Sequence, residues 1–183
     1  MKSTVETAEI AQPYAQALMS LAKSKNLAED FGSEARILIS LLQDSQQLKN
    51  FVDNPFIKPD TKKGVITQVL GTEANPYLRN FLLLLVDKRR IFFLEEILQQ
   101  YLSLLRQLNQ TVLAEVISAV PLSSEQQQAI EQKVIALTKA RQVELVTKVD
   151  SDLIGGVIIK VGSQVIDSSL RGQLRRLSLR LGS

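Results

Sequence analysis

Asp167-Ser168-Ser169 sets an acid beside two hydroxyls, the kind of grouping from which a nucleophile is built, but the 183-residue chain has no histidine and no cysteine to complete it. Without histidine there is no orthodox proton relay, and a serine where a helix starts is expected as its cap. Carboxylate, lysine and tyrosine chemistry is what remains. Gly155-Gly156 invites a phosphate-nest reading. No Gly-Lys-Ser/Thr follows it, however, and it precedes a strand, whereas phosphate loops lie between a strand and a helix; a turn or bulge accounts for the pair. Glu95-Glu96 and Asp150/Asp152 are spaced as solvated surface or turn residues and lack the further oxygen ligands that calcium or magnesium needs. Lys88-Arg89-Arg90 reads as a solvated corner, with an anion or partner contact as its functional alternative. The reading is therefore of a chain that is not an enzyme and has no catalytic, cofactor-binding or metal-binding residues.

A different kind of chemistry is concentrated at the end. Leu170, Leu174, Leu177 and Leu181 recur at steps of four, three and four, so they line one side of a helix, with Arg171, Arg175, Arg176 and Arg180 off that stripe. Counted by segment, residues 1 to 110 carry 13 basic and 12 acidic side chains and residues 111 to 167 carry 5 and 7, whereas the tail from Ser168 carries 4 and 0. Arginines in late turns complement the helix dipole by roughly 0.3 to 1 kcal/mol each, which does not explain why no acid is interleaved. A nucleic-acid surface is one reading. Phosphate recognition draws on a broad basic face, often with aromatic platforms, and here the body is nearly neutral and the aromatics fall at core positions, so a partner-binding or solvated helix is the stronger one.

The elements that must position these residues are helical up to Leu108. Pro13 suits a first helical turn, with Tyr14, Ala17, Leu18 and Leu21 as an apolar stripe. A second helix starts near Ala28 and buries Phe31, Ala35, Leu38 and Leu42. A third, around Leu48, Phe51 and Val52, ends at Asn54-Pro55. Pro59 opens a fourth, with Val65, Ile66, Val69 and Leu70 inward and Gly71 as its stop. Asn75-Pro76 caps a fifth that runs through the apolar stretch Phe81 to Val86, and a sixth, from about Ile91 to Leu108, turns Leu94, Ile97, Leu98, Tyr101, Leu105 and Leu108 inward. Short connections predict a compact six-helix bundle.

Near residue 110 the period changes to two. Val112 to Ala119 predicts a strand, Ser123-Ser124-Glu125-Gln126 a capping box, and Ile130, Val134 and Leu137 the buried side of one helix. Val143 to Val149 is a second strand, and Val157 to Val161, Gly162-Ser163 and Gln164 to Asp167 form a hairpin before the arginine helix. The predicted class is α+β, mostly α: a six-helix bundle over 1–110 and a small mixed α/β domain over 111–183 with helices covering its sheet. The N-terminus lacks the apolar core of a signal peptide, and the six residues Phe81 to Val86 fall far short of the roughly 20 that span a bilayer.

Pro13-Tyr14-Ala15 with Ala17-Leu18, Asn54-Pro55, and Phe81-Leu82 through Arg90 to Leu94 and Ile97 occur in one order. They are followed by Ser118-Ala119, Pro121-Leu122-Ser123 and Glu125, then Ile154-Gly155-Gly156 and Ile166-Asp167-Ser168-Ser169. In that order and spacing the chain resembles the delta subunits of F-type ATP synthases, whose mitochondrial counterpart is the oligomycin-sensitivity-conferring protein, over nearly its whole length. The resemblance implies a non-catalytic stator subunit that links alpha subunits of the catalytic head to b-type peripheral-stalk subunits, so that rotation drives ATP synthesis. It implies that the bundle takes an alpha N-terminal helix between Tyr14, Ala17, Leu18 and Leu21 of the first helix and Phe81, Leu84 and Leu85 of the fifth; internal packing is the alternative for each residue. It implies that the second domain meets the stalk, for which Leu170, Arg171, Leu174, Arg175, Arg176 and Leu177 are candidates. No cofactor, small-molecule substrate or nucleic acid is expected. The expected location is peripheral, on the cytoplasmic or stromal side of an energy-transducing membrane, a thylakoid in preference to a plasma membrane. The alternative function is a basic-helix nucleic-acid-binding or other adaptor protein.

Overall fold

The computed structural model describes residues 4–71 and 74–181, and the side chains of 9–71 and 74–177. Described residues form eight α-helices and a small mixed sheet of four strands, so the fold is mostly helical. The chain divides into two compact units, Met1–Leu105 and Arg106–Ser183.

Six helices precede the first strand: α1 (Thr4–Lys25), α2 (Ala28–Asp44), α3 (Gln46–Asp53), α4 (Pro59–Leu70), α5 (Pro76–Asp87) and α6 (Leu94–Asn109). The first departs from expectation, because Pro13 lies inside α1 instead of opening it. An interior proline removes one helical hydrogen bond and costs about 3 kcal/mol in an isolated helix. Here Ala11 and Ala15, on either side of it, are fully buried in the same core as Leu18, Met19 and Ala22. Packing of one face, not propensity, carries the helix through the proline.

The other boundaries follow local chemistry. Phe31, Ala35, Leu38 and Leu42 are the buried side of α2, together with Gly32. Asn75 caps α5, accepting from the Tyr77 N–H at 3.0 Å. α5 ends where the Arg89 N–H reaches Val86 O at 3.0 Å and the Arg90 N–H reaches Leu85 O at 2.7 Å. That paired closure puts Arg89 in the left-handed region, at φ 54°, a position glycine usually takes. A 3-10 turn, Ile91–Phe93, then precedes α6 where one continuous helix was expected. Tyr101 is the largest fully buried side chain among the described residues, and its hydroxyl donates to Ala28 O at 2.9 Å. Burial, with the Glu29 charge adding to it, pushes that phenol up to about 12.

Three expectations about exposure are corrected. Val69 and Leu108 are 39% and 46% exposed, so neither belongs to the core. Lys62 is buried in α4 instead, its ammonium donating to Val52 O at 2.6 Å. Glu95 is not a freely solvated acid: it pairs with Lys49 at 2.7 Å and accepts from Gln43 at 3.1 Å. The Lys49 hydrogen bond draws the Glu95 carboxyl below its usual range and raises the lysine, though the pair is open enough to water to add well under about 1 kcal/mol.

The second unit is built on β1 (Thr111–Ser118), α7 (Ser124–Thr138), β2 (Gln142–Val149), β3 (Val157–Val161), β4 (Gln164–Asp167) and α8 (Leu170–Leu181). The strand order is β2-β1-β3-β4, with β1 parallel to β2 and antiparallel to β3. β3 and β4 form the expected hairpin. Ser123 and Gln126 make the full reciprocal capping box before α7. Val112, Ala114 and Val116 share the α7-facing core with Ile130, Val134, Ile159 and Val161. Leu137, expected inward, is 54% exposed. The opposite sheet face mixes the cross-strand pair Glu115 and Lys160 with the half-buried pair Ile117 and Ile158.

Candidate partner-binding surfaces

No group of three or more acids that could hold a metal ion occurs among the described residues, and no helix among them is long and apolar enough to cross a membrane. Two surfaces built on helices contain the residues singled out by sequence.

The first involves α1 and α5. The Lys25 ammonium at the end of α1 lies 5.3 Å from the ring centre of Tyr77 in the first turn of α5, so the two helices are neighbours there. Of the seven residues singled out by sequence, Leu18, Phe81 and Leu85 are buried in the unit's own core. Tyr14 and Leu21 pack against that core but stay half-buried. Ala17 is exposed, and Leu84 is 45% exposed. Internal packing therefore accounts for three of the seven, and four have surface to offer. Tyr77, at 41% exposure, extends the patch and was absent from the sequence reading. Its position in the helix's first turn gave no periodic signal.

The second is α8. Leu170, Leu174 and Leu177 are 47%, 58% and 54% exposed, and Arg171, Arg175 and Arg176 are exposed beside them. The side chains of Arg180 and Leu181 lie outside the described residues. A stripe with the spacing of a core face is thus unburied at every described position. What holds the helix is its first turn: Asp167 accepts from the Ser169 hydroxyl at 2.6 Å and the Ser169 N–H at 2.9 Å, and the Ser169 hydroxyl accepts from the Gly172 N–H at 3.0 Å. The Ser168 N–H reaches Val157 O and the Leu170 N–H reaches Gly155 O, both at 2.9 Å. Asp167-Ser168-Ser169 and Gly155-Gly156, weighed above as a nucleophile and a phosphate loop, are the two halves of this one joint.

The Ser169 hydroxyl, then its N–H, hold the Asp167 carboxyl below the usual aspartate range, with a small contribution from Arg176. A carboxyl depressed in the folded state stabilises it above the unfolded pKa and loses that effect as pH falls through the folded value. The first-turn amides of α8 should therefore titrate together below the usual aspartate range in an NMR pH series. Asp167→Asn should abolish that shared transition, and its persistence would assign the titration to another group.

The family model described as the ATP synthase delta (OSCP) subunit matches residues 10–181. Among relatives, the chain is 75% identical to the ATP synthase subunit delta of Trichormus variabilis over 183 residues, covering all of both chains. It is 74% identical to that of a Nostoc species over the same full length, and 56% identical to that of a Synechocystis species, covering all of this chain and 99% of the relative. In structure it is similar to a chain of the Toxoplasma gondii mitochondrial ATP synthase hexamer, solved by cryo-electron microscopy. The TM-score is 0.73 at 25% identity, covering 94% of this chain and 97% of the other.

Proposed function

Since the chain belongs to the ATP synthase delta (OSCP) subunit family, and is thereby a non-catalytic peripheral-stalk component of an F-type ATP synthase, we propose how its two surfaces divide the work. Helices α1 and α5 take an amphipathic N-terminal helix of an alpha subunit, and α8 takes the end of a b-type stalk helix. The observation that carries this reading is the exposure of Leu170, Leu174 and Leu177 on a helix whose flanking described charges are all positive. Leucines dock on an apolar stripe while arginines pair with carboxylates of an elongated acidic partner. The nucleic-acid alternative gains no support, since the same arginines flank an apolar stripe that phosphate binding leaves unused. Relatives at 74 to 75% identity from Trichormus and Nostoc favour a thylakoid membrane as the place of assembly.

A stator link makes and breaks no covalent bond. It must hold the head against rotor torque, which calls for extended interfaces with slow dissociation at each end. On the bundle side Leu84 is the informative position, because it is exposed and separable from folding. Leu84→Gln in the full chain should weaken binding of a synthetic alpha N-terminal segment about tenfold, the equivalent of losing roughly 1.4 kcal/mol of apolar burial, with a smaller effect on the melting temperature. Calorimetry showing equal affinity for both chains would move the alpha site elsewhere.

A further inference from the structure

We propose that a cleft of about 300 Å³ between the α3–α4 loop and the turn joining α5 to α6 binds a small amphiphilic anion: one carboxylate or phosphate group on an apolar or aromatic body. This site lies within the first unit and does not rest on the division of surfaces proposed above.

Three cations, Lys58, Lys62 and Arg89, line the cleft with a single acid, Asp53, and the rings of Phe56 and Phe92 form part of its apolar wall. Lys62 is the decisive residue. It is 6% exposed, and lysine is rarely buried unless paired. Its ammonium has three N–H groups, and the acceptor it has among the described residues is Val52 O. It takes part in none of the ion pairs among those residues. Burial disfavours its charge, against which Asp53 acts from a distance. An anion in the cleft would supply the counter-charge that burial leaves wanting.

The other walls agree in sign. Lys58 and Pro59, at the start of α4, line the cleft, and no side chain caps that helix start; the positive end of the α4 dipole lies on this side, offset in part by Asp60 in the first turn. Arg89, which also lines the cleft, is held at φ 54°, where glycine fits without strain. Phe56 is 93% exposed on a loop fixed by its N–H bond to Asn54 Oδ1 at 2.9 Å. Apolar walls with a few convergent charges describe a site for an organic ion, since a bare inorganic anion would make no use of the apolar part of the lining.

The test is an amide NMR titration of the full chain with 1-naphthoate, neutral 1-naphthamide and inorganic phosphate. Naphthoate should give saturable shifts centred on Lys58, Lys62 and Arg89, with naphthamide and phosphate each at least about tenfold weaker. Lys62→Met and Arg89→Gly should each weaken naphthoate by a similar factor. Arg89→Gly should also raise the melting temperature, because glycine relieves the left-handed backbone, so loss of binding there is not loss of folding even if Lys62→Met folds poorly. Equal affinity for naphthamide would overturn the anionic requirement, and equal affinity for phosphate the apolar one. Shifts that do not saturate, map elsewhere or survive Arg89→Gly would overturn the site.

Discussion

Gly156→Ala is expected to destabilise the second unit by roughly 3 kcal/mol while leaving the helical unit untouched. Gly156 has φ +79°, and an alanine Cβ there would stand 2.4 Å from Ser168 O and 2.9 Å from the Ser169 Cα. Both obstacles are backbone. They cannot retreat without breaking the Ser168 N–H bond to Val157 O and the Leu170 N–H bond to Gly155 O that seat α8. The left-handed conformation contributes roughly 1 to 2 kcal/mol and the overlap a comparable amount. A small domain has only about 3 to 5 kcal/mol to lose. Hydrogen exchange read residue by residue should show protection collapsing across β1 and β3 and persisting in α2 and α6. Gly162→Ala is the control: Gly162 has φ +55° with nothing within 4 Å of a Cβ, so only the conformational part, roughly 1 kcal/mol, applies. Equal effects of the two substitutions would show that the contact with Ser168 is not what fixes Gly156.

What could be read from sequence alone has a common physical basis. The Asn75 and Ser123 caps, the α2 core face and the β3–β4 hairpin are set by residues within a few positions of one another, and each occurs where it was expected. The departures come from contacts that are distant in sequence. Pro13 stays helical because Ala11 and Ala15 are buried by other elements. α5 closes in a left-handed turn at Arg89, where composition offered no glycine to announce it. Val69, Leu108 and Leu137 have the spacing of core residues, yet periodicity reports only that a face is apolar and is silent on whether that face is covered. The same silence surrounds the candidate surfaces. It divided neither Leu18 and Leu85, which are core, from Leu84, which is not, nor the α8 stripe from an ordinary buried one.

Leu174→Gln combined with Leu177→Gln should reduce affinity for a b-type stalk segment about thirtyfold, with a smaller loss in the stability of the chain. Full burial of a leucine is worth roughly 1.5 to 3 kcal/mol, and each of these two already has nearly half its surface covered in the free protein, leaving roughly 1 kcal/mol apiece to be gained on docking. Two such terms make about 2 kcal/mol, or a factor of about thirty. Glutamine keeps helix propensity close to that of leucine, so α8 itself should persist. Leu170 is best left in place, since its side chain lies against Gly155 at the joint. Charge behaves differently. Replacing Arg171 and Arg175 with glutamine should slow association and flatten its salt dependence, with a smaller change in dissociation, because exposed charges steer encounter more than they hold a complex. Two outcomes would overturn this assignment. If the leucine pair lowers the melting temperature and binding in parallel, the stripe is core after all; if binding is unchanged, the stalk engages another face of the second unit, and the unburied leucines of α8 need a different partner.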